Sequence, residues 1–111
     1  MNTLNETVAP LPALDEALVR ETLRGVEDPE LGCNIIDLGL IYSIVIEGAK
    51  VSVQMTLTTQ GCPMHESMVE GVRLALLNLE QVQAVEVEVV WDPPWNADMM
   101  TDLGKAMLGV A

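Results

Sequence analysis

The chain has 111 residues, half of them hydrophobic, with no Phe, and its 17 acids against five bases give a formal charge of −12. That length holds one domain with one modest core built from Val, Leu, Ile and Met, and no apolar run reaches the ~18 residues of a membrane span. So acidic a surface repels phosphate backbones and excludes direct nucleic-acid binding, and the N-terminus lacks a signal peptide's basic start and long apolar stretch, so a cytoplasmic protein is expected.

Residues 1–12, with Pro10 and Pro12 and no periodicity, read as a flexible N-terminal arm; 13–111 read as one domain. From Leu14 to Arg24 the apolar positions Leu14, Leu18, Val19 and Leu23 recur at helical spacing, and Gly25 is placed to stop that helix. Residues 26–39 read as a long ordered loop: Pro29 and Gly32 disfavour regular structure, while Leu31, Ile35, Ile36 and Leu38 demand packing. IYSIVIEG and KVSVQMTLT follow as two strands joined at Gly48-Ala49. In the second, Val51, Val53, Met55 and Leu57 alternate with Ser52, Gln54, Thr56 and Thr58. Residues 63–80 return to the helical period, with Met64, Met68, Val72, Ala75, Leu76 and Leu79 on one stripe, so the methionines are core filler. AVEVEVVW is a third strand; the prolines of DPPWN break it, and Asp98 to Leu108 reads as a short last helix. The order α-β-β-α-β-α predicts a two-layer α+β domain, a small mixed sheet of about three strands packed against two main helices.

Two cysteines, Cys33 and Cys62, and a single histidine exclude a self-contained zinc site, and nothing in the chain signals an oxidising compartment. A tightly held transition metal would need ligands from a second chain, from carboxylates or from a small molecule. Cys62 stands in TTQGCPMHESM, where Gly61 allows a sharp turn and Pro63 suits a first helical position. That puts the thiol at a helix N-cap, facing unpaired N–H groups. A dipole contribution of ~0.3–1 kcal/mol lowers its pKa by less than one unit. Two readings stand side by side: a functional thiol, or a small residue filling a corner. His65 reads as a base, a second ligand or a surface polar residue, and Cys33 as packing. Asp28 and Glu30, in the packed loop, are the carboxylates expected near the thiol, where one could orient a proton, bind a cation or cap a loop N–H. Thr58 or Thr59 would hydrogen-bond the sulfur. Asp37 reads as anchoring the loop to the first strand; Trp91 and Trp95 read as sealing the apolar layer, with Trp95 alternatively an exposed contact.

Four motifs in order, VEDPEL at 26–31, NIIDLGLIY at 34–42, MTLTTQGCPM at 55–64 and VVWDPPW at 89–95, resemble the small metal–sulfur cluster assembly proteins of the SufT-like type. The resemblance implies a compact α+β domain that matures iron–sulfur proteins. It matches the family's functional cysteine to Cys62 and its surrounding pocket to Asp28, Glu30, Thr58 and Thr59. One thiolate can serve as a transient ligand to iron or an iron–sulfur cluster, but one chain holds no cluster stably. The implied partners are the iron–sulfur assembly machinery and client apoproteins, with a homodimer as one way to complete the site. A related branch, the phenylacetate-oxygenase accessory subunits, commonly adds a cysteine-rich C-terminal extension; with no cysteine after Cys62, this chain matches it less well. The expected function is therefore a non-catalytic assembly or delivery factor. The alternatives are a thiol-dependent sulfur-transfer or redox enzyme, and an interaction adaptor for a multi-subunit oxygenase.

Overall fold

A computed structural model describes residues 13–59 and 65–109. The first helix, α1, spans Glu16–Leu23. Asp15 starts it, its carboxylate accepting the Leu18 N–H at 2.9 Å, and Val19 and Leu23 form its buried face. The stretch expected as loop is more ordered than that. Two short strands, β1 (Glu27–Asp28) and β2 (Cys33–Asn34), pair antiparallel there. The turn between them closes because Gly32 adopts φ +70° and donates its N–H to the Asp28 carbonyl at 2.7 Å.

β3 (Ile41–Glu47) and β4 (Lys50–Met55) form an antiparallel hairpin turned at Gly48, φ +60°. The second main helix, α2 (His65–Leu77), carries the chain across the sheet to β5 (Ala84–Val89), which therefore pairs parallel to β4. The strand order is β3-β4-β5, a mixed three-stranded sheet as expected. Register builds aligned rows: Ile46 lies opposite Val51 and Val51 beside Val85; Ile44 lies opposite Val53 and Val53 beside Val87. α1 packs on α2 and β3, and α2 packs on β5, so these rows join Leu23, Met68, Val72 and Leu76 in one apolar cluster. On the other face Lys50 pairs with Glu86 at 3.4 Å and Gln54 donates to Glu88 at 2.9 Å.

A β-bulge interrupts β3 between Ile41 and Ser43, leaving Tyr42 without a strand partner. Such an extra residue re-aims its side chain. Here the Tyr42 hydroxyl donates to the Pro93 carbonyl at 2.8 Å and lies 3.3 Å from Met99 Sδ. Burial pushes the phenol's pKa up. The Asp92 charge adds to that rise.

The last segment is not one helix. A 3-10 turn (Ala97–Met99) precedes α3 (Asp102–Leu108), and the break falls where Thr101 accepts the Gly104 N–H at 3.0 Å and caps α3. α2 likewise ends at Leu77, earlier than the apolar stripe suggested, its last turns closing through Leu79 N–H to Leu76 C=O. Gly71 sits inside α2 with room to spare, since an added Cβ would meet only Val26 Cγ1, at 3.7 Å. Gly71→Ala is therefore expected to raise the unfolding free energy by ~0.5–1 kcal/mol, read from urea denaturation.

Candidate functional site

The site is built from two chain segments that approach the start of α2. The first is the β1–β2 turn. Asp28 is buried, and its Oδ1 accepts the backbone N–H of Glu30 at 2.8 Å and of Leu31 at 3.2 Å. This is the capping arrangement that short acidic side chains favour. Among the described residues Oδ2 takes no hydrogen bond, so one carboxylate oxygen fixes the turn and the other keeps its acceptor capacity. Glu30 is exposed at the tip. The turn lies against α2 across a groove of about 450 Å³ lined by Val26, Glu27 and Pro29 on one side and Ser67, Met68 and Gly71 on the other.

The second segment follows β4. Thr56 continues the sheet through its N–H to the Leu40 carbonyl, and Leu57 is buried. Thr58 is then half-buried and Thr59 exposed. Both threonines line a cavity of about 220 Å³ with Leu57, Trp91, Pro94 and Trp95. The indole of Trp95 donates to the Leu38 carbonyl at 2.6 Å and holds that wall in place, while both tryptophans pack on the core. Trp91 also meets His65 edge-on, with ring centroids 6.3 Å apart. His65 thus opens α2 by stacking on the wall that faces the threonines.

Residues 60–64, with Cys62 and its expected N-cap position, lie outside the described residues. Their two flanks, Thr58–Thr59 before and His65 after, both stand beside Trp91. The structure brings the threonines to that tryptophan wall and brings the Asp28–Glu30 turn to the first turns of α2. The groove at the Asp28–Glu30 turn and the cavity at the threonines share no lining residue. Cys33, in contrast, is free and wholly enclosed. Burial pushes its thiol pKa up and the Asp37 charge adds to that, so it stays protonated and packs as expected. Among the described residues no group of three or more His, Cys, Asp and Glu side chains is placed to hold a metal ion.

Asp37 has a larger task than tethering the loop to β3. Arg24 Nη1 donates to both its oxygens, at 3.0 and 3.1 Å; Asn34 Nδ2 donates to Oδ2 at 2.7 Å; and Thr101 Oγ1 donates to Oδ1 at 2.8 Å. The backbone joins in, with Asn34 Oδ1 accepting the Asp37 N–H and the Asp37 carbonyl accepting the Thr101 N–H. One buried carboxylate therefore ties α1, the β2 turn and α3 together behind the candidate site. The Asn34 hydrogen bond, with those of Thr101 and Arg24, holds its pKa below the usual aspartate value against the opposing effect of burial. The local half of this cluster, an Asn three residues before an Asp, was visible in the chain; the rest comes from residues 13 and 64 positions away.

Comparison with known proteins places this geometry among relatives. The family described as iron–sulfur cluster assembly protein matches residues 16–89, from the first residue of α1 to the last of β5. The Fe-S protein maturation auxiliary factor SufT of Staphylococcus aureus (strain USA300) is 44% identical over 87 residues, covering 78% of this chain and 99% of that protein. The Fe-S protein maturation auxiliary factor YitW of Bacillus subtilis (strain 168) is 41% identical over 101 residues, covering 87% and 99%. A crystal structure of a domain of unknown function, DUF59, from Bacillus anthracis superposes with a TM-score of 0.81 at 39% identity, covering 86% of this chain and 92% of that one.

Proposed function

The chain belongs to the iron–sulfur cluster assembly protein family, and from that premise we propose that it is an accessory factor in iron–sulfur cluster assembly or delivery, acting through Cys62. The observation that carries the reading is the convergence of both flanks of the 60–64 segment on Trp91, with the Asp28–Glu30 turn packed on the same end of α2. The auxiliary-factor role borne in the names of its relatives supports it.

In this reading the Cys62 thiolate is a transient ligand to iron or to the exposed edge of a cluster, which is cargo and not a resident group. Asp28 Oδ2, which takes no hydrogen bond among the described residues, and the carboxylate of Glu30 set the charge around the sulfur. The hydroxyls of Thr58 and Thr59 donate hydrogen bonds to it, which favours thiolate over thiol. One thiolate leaves a cluster iron short of ligands, so the remaining ones come from a client apoprotein, from the assembly machinery or from a second copy of the chain. The protein makes and breaks no substrate bond of its own. In this reading residues 13–111 are the working unit; the arm expected over residues 1–12 lies outside the described residues.

The test is complementation. In a strain lacking the native copy, Cys62→Ala and Cys62→Ser are expected to leave client iron–sulfur enzyme activity at the deletion level, while Glu30→Gln restores it partly. Full restoration by either cysteine variant would overturn the thiol's role. Anaerobic iron and sulfide analysis of wild type beside Cys62→Ala then separates cargo binding from a purely structural cysteine.

A further inference from the structure

A larger cavity, about 720 Å³, opens where the C-terminal half of α1, residues 36–42 and the Met99–Thr101 segment meet. It shares no lining residue with the two cavities at the candidate site. Its volume falls within the range of small-ligand sites, which combine apolar walls with a few converging polar groups. Ile36, Ile41, Met99 and the ring of Tyr42 make the apolar walls, and Arg20 and Arg24 stand at one end. The chain has only five basic residues against 17 acids, so two of them at one cavity concentrate guanidinium donors there, with Glu16, Glu21 and Asp37 balancing their charge.

Neither guanidinium is used up by its present partners. Arg20 reaches Glu16 through Nε at 2.8 Å, and Arg24 reaches Asp37 through Nη1 and pairs with Glu21 through Nε at 3.6 Å. A guanidinium carries five N–H donors in a planar fork. Among the described residues both terminal nitrogens of Arg20 and Nη2 of Arg24 make no hydrogen bond, which leaves donors suited to a carboxylate. The walls are fixed before any ligand arrives. Tyr42 is bonded to Pro93, Arg24 to Asp37, and the Met99 carbonyl is pressed against Gly39. Glu16, Glu21 and Asp37 already offset the arginine charge, which disfavours a dianion such as phosphate; a carboxylate, singly charged and matched in shape to the unused N–H donors, is the better fit.

We propose that this cavity binds a small organic monocarboxylate with an apolar body, its carboxylate on Arg20 and Arg24 and its body against Ile36, Ile41 and Met99. The site is independent of Cys62. Phenylbutyrate is a suitable probe, titrated into the full-length isotope-labelled chain and followed by backbone amide shifts, with phenylbutanol and inorganic phosphate in parallel. Saturable shifts are expected at Gly39, Tyr42 and Thr101. Losing one charge-assisted contact in Arg20→Gln should weaken binding about tenfold. Glu16→Gln, which removes the competing carboxylate, should strengthen it. Both side chains are exposed, so both variants keep the fold, and overlaid melting curves check that. The proposal is overturned by an absence of saturable shifts, by equal binding of the acid and its alcohol, by indifference to Arg20→Gln, by phosphate moving the same amides as strongly, or by ligand-free shifts that track protein concentration and make the face a self-contact.

Discussion

Replacing Asp37 with alanine is expected to lower the unfolding free energy by about 3 kcal/mol, at the lower end of the cost of stripping one partner from a buried ion pair. The side chain is 2% exposed, and its removal leaves Asn34 and Thr101 without their acceptor. The loss stays at the lower end because Arg24 is partly exposed and can turn its guanidinium to water. For a chain of this size the melting temperature should fall by roughly 15 °C. Arg24→Met should cost less, since Asp37 would still hold the Asn34 and Thr101 donors.

Acid supplies an independent check. The folded pKa of Asp37 is depressed, so its stabilisation is fully present above the ordinary aspartate range and is lost as pH falls through the folded value. The stability gap between wild type and Asp37→Ala should therefore be constant near neutrality and narrow below about pH 4. A gap that stayed constant into that acid range would mean that the carboxylate's charge contributes nothing and that the loss is one of shape alone.

The contrast between Asp37 and β4 shows what was legible in the chain. β4 has one face on the helices and one in water, so burial writes itself into alternating residues: Val51, Val53 and Met55 are buried while Gln54 is exposed. α2 carries Met68, Val72 and Leu76 at helical spacing for the same reason. The β1–β2 ribbon could not be read this way, because two residues per strand are too few to show a period. Thr56 broke its own alternation: it was expected on the polar face with Ser52 and is fully buried, since the chain after β4 leaves the regular pleat. In the candidate site, the capping by Asp28 was legible because an acidic side chain bonds N–H groups two and three residues on. The meeting of His65 with Trp91 was not, since it depends on where β5 ends relative to α2.

Gly39→Ala is expected to be the most damaging single-methyl addition among the described glycines, at about 3–4 kcal/mol, the sum of a left-handed backbone penalty and an overpacking cost. Gly39 has φ +77°, and a Cβ there would stand 2.2 Å from the Met99 carbonyl oxygen and 2.7 Å from its carbon. That carbonyl cannot back away cheaply. Met99 donates its own N–H to Asn96, and two residues later Thr101 is bonded to Asp37. Relief therefore means peeling the 97–108 segment from the body of the protein. Gly48 provides the control, with φ +60° and nothing within 4 Å of an added Cβ, so Gly48→Ala should cost only the backbone penalty of ~1–2 kcal/mol. Chemical denaturation measures both. Native-state amide exchange of Gly39→Ala should show protection lost first along Met100, Lys105 and Gly109, whose N–H bonds belong to that segment. Equal losses in the two glycine variants would mean that the approach of Met99 is soft. The walls of the 720 Å³ cavity would then be adjustable, not set in advance.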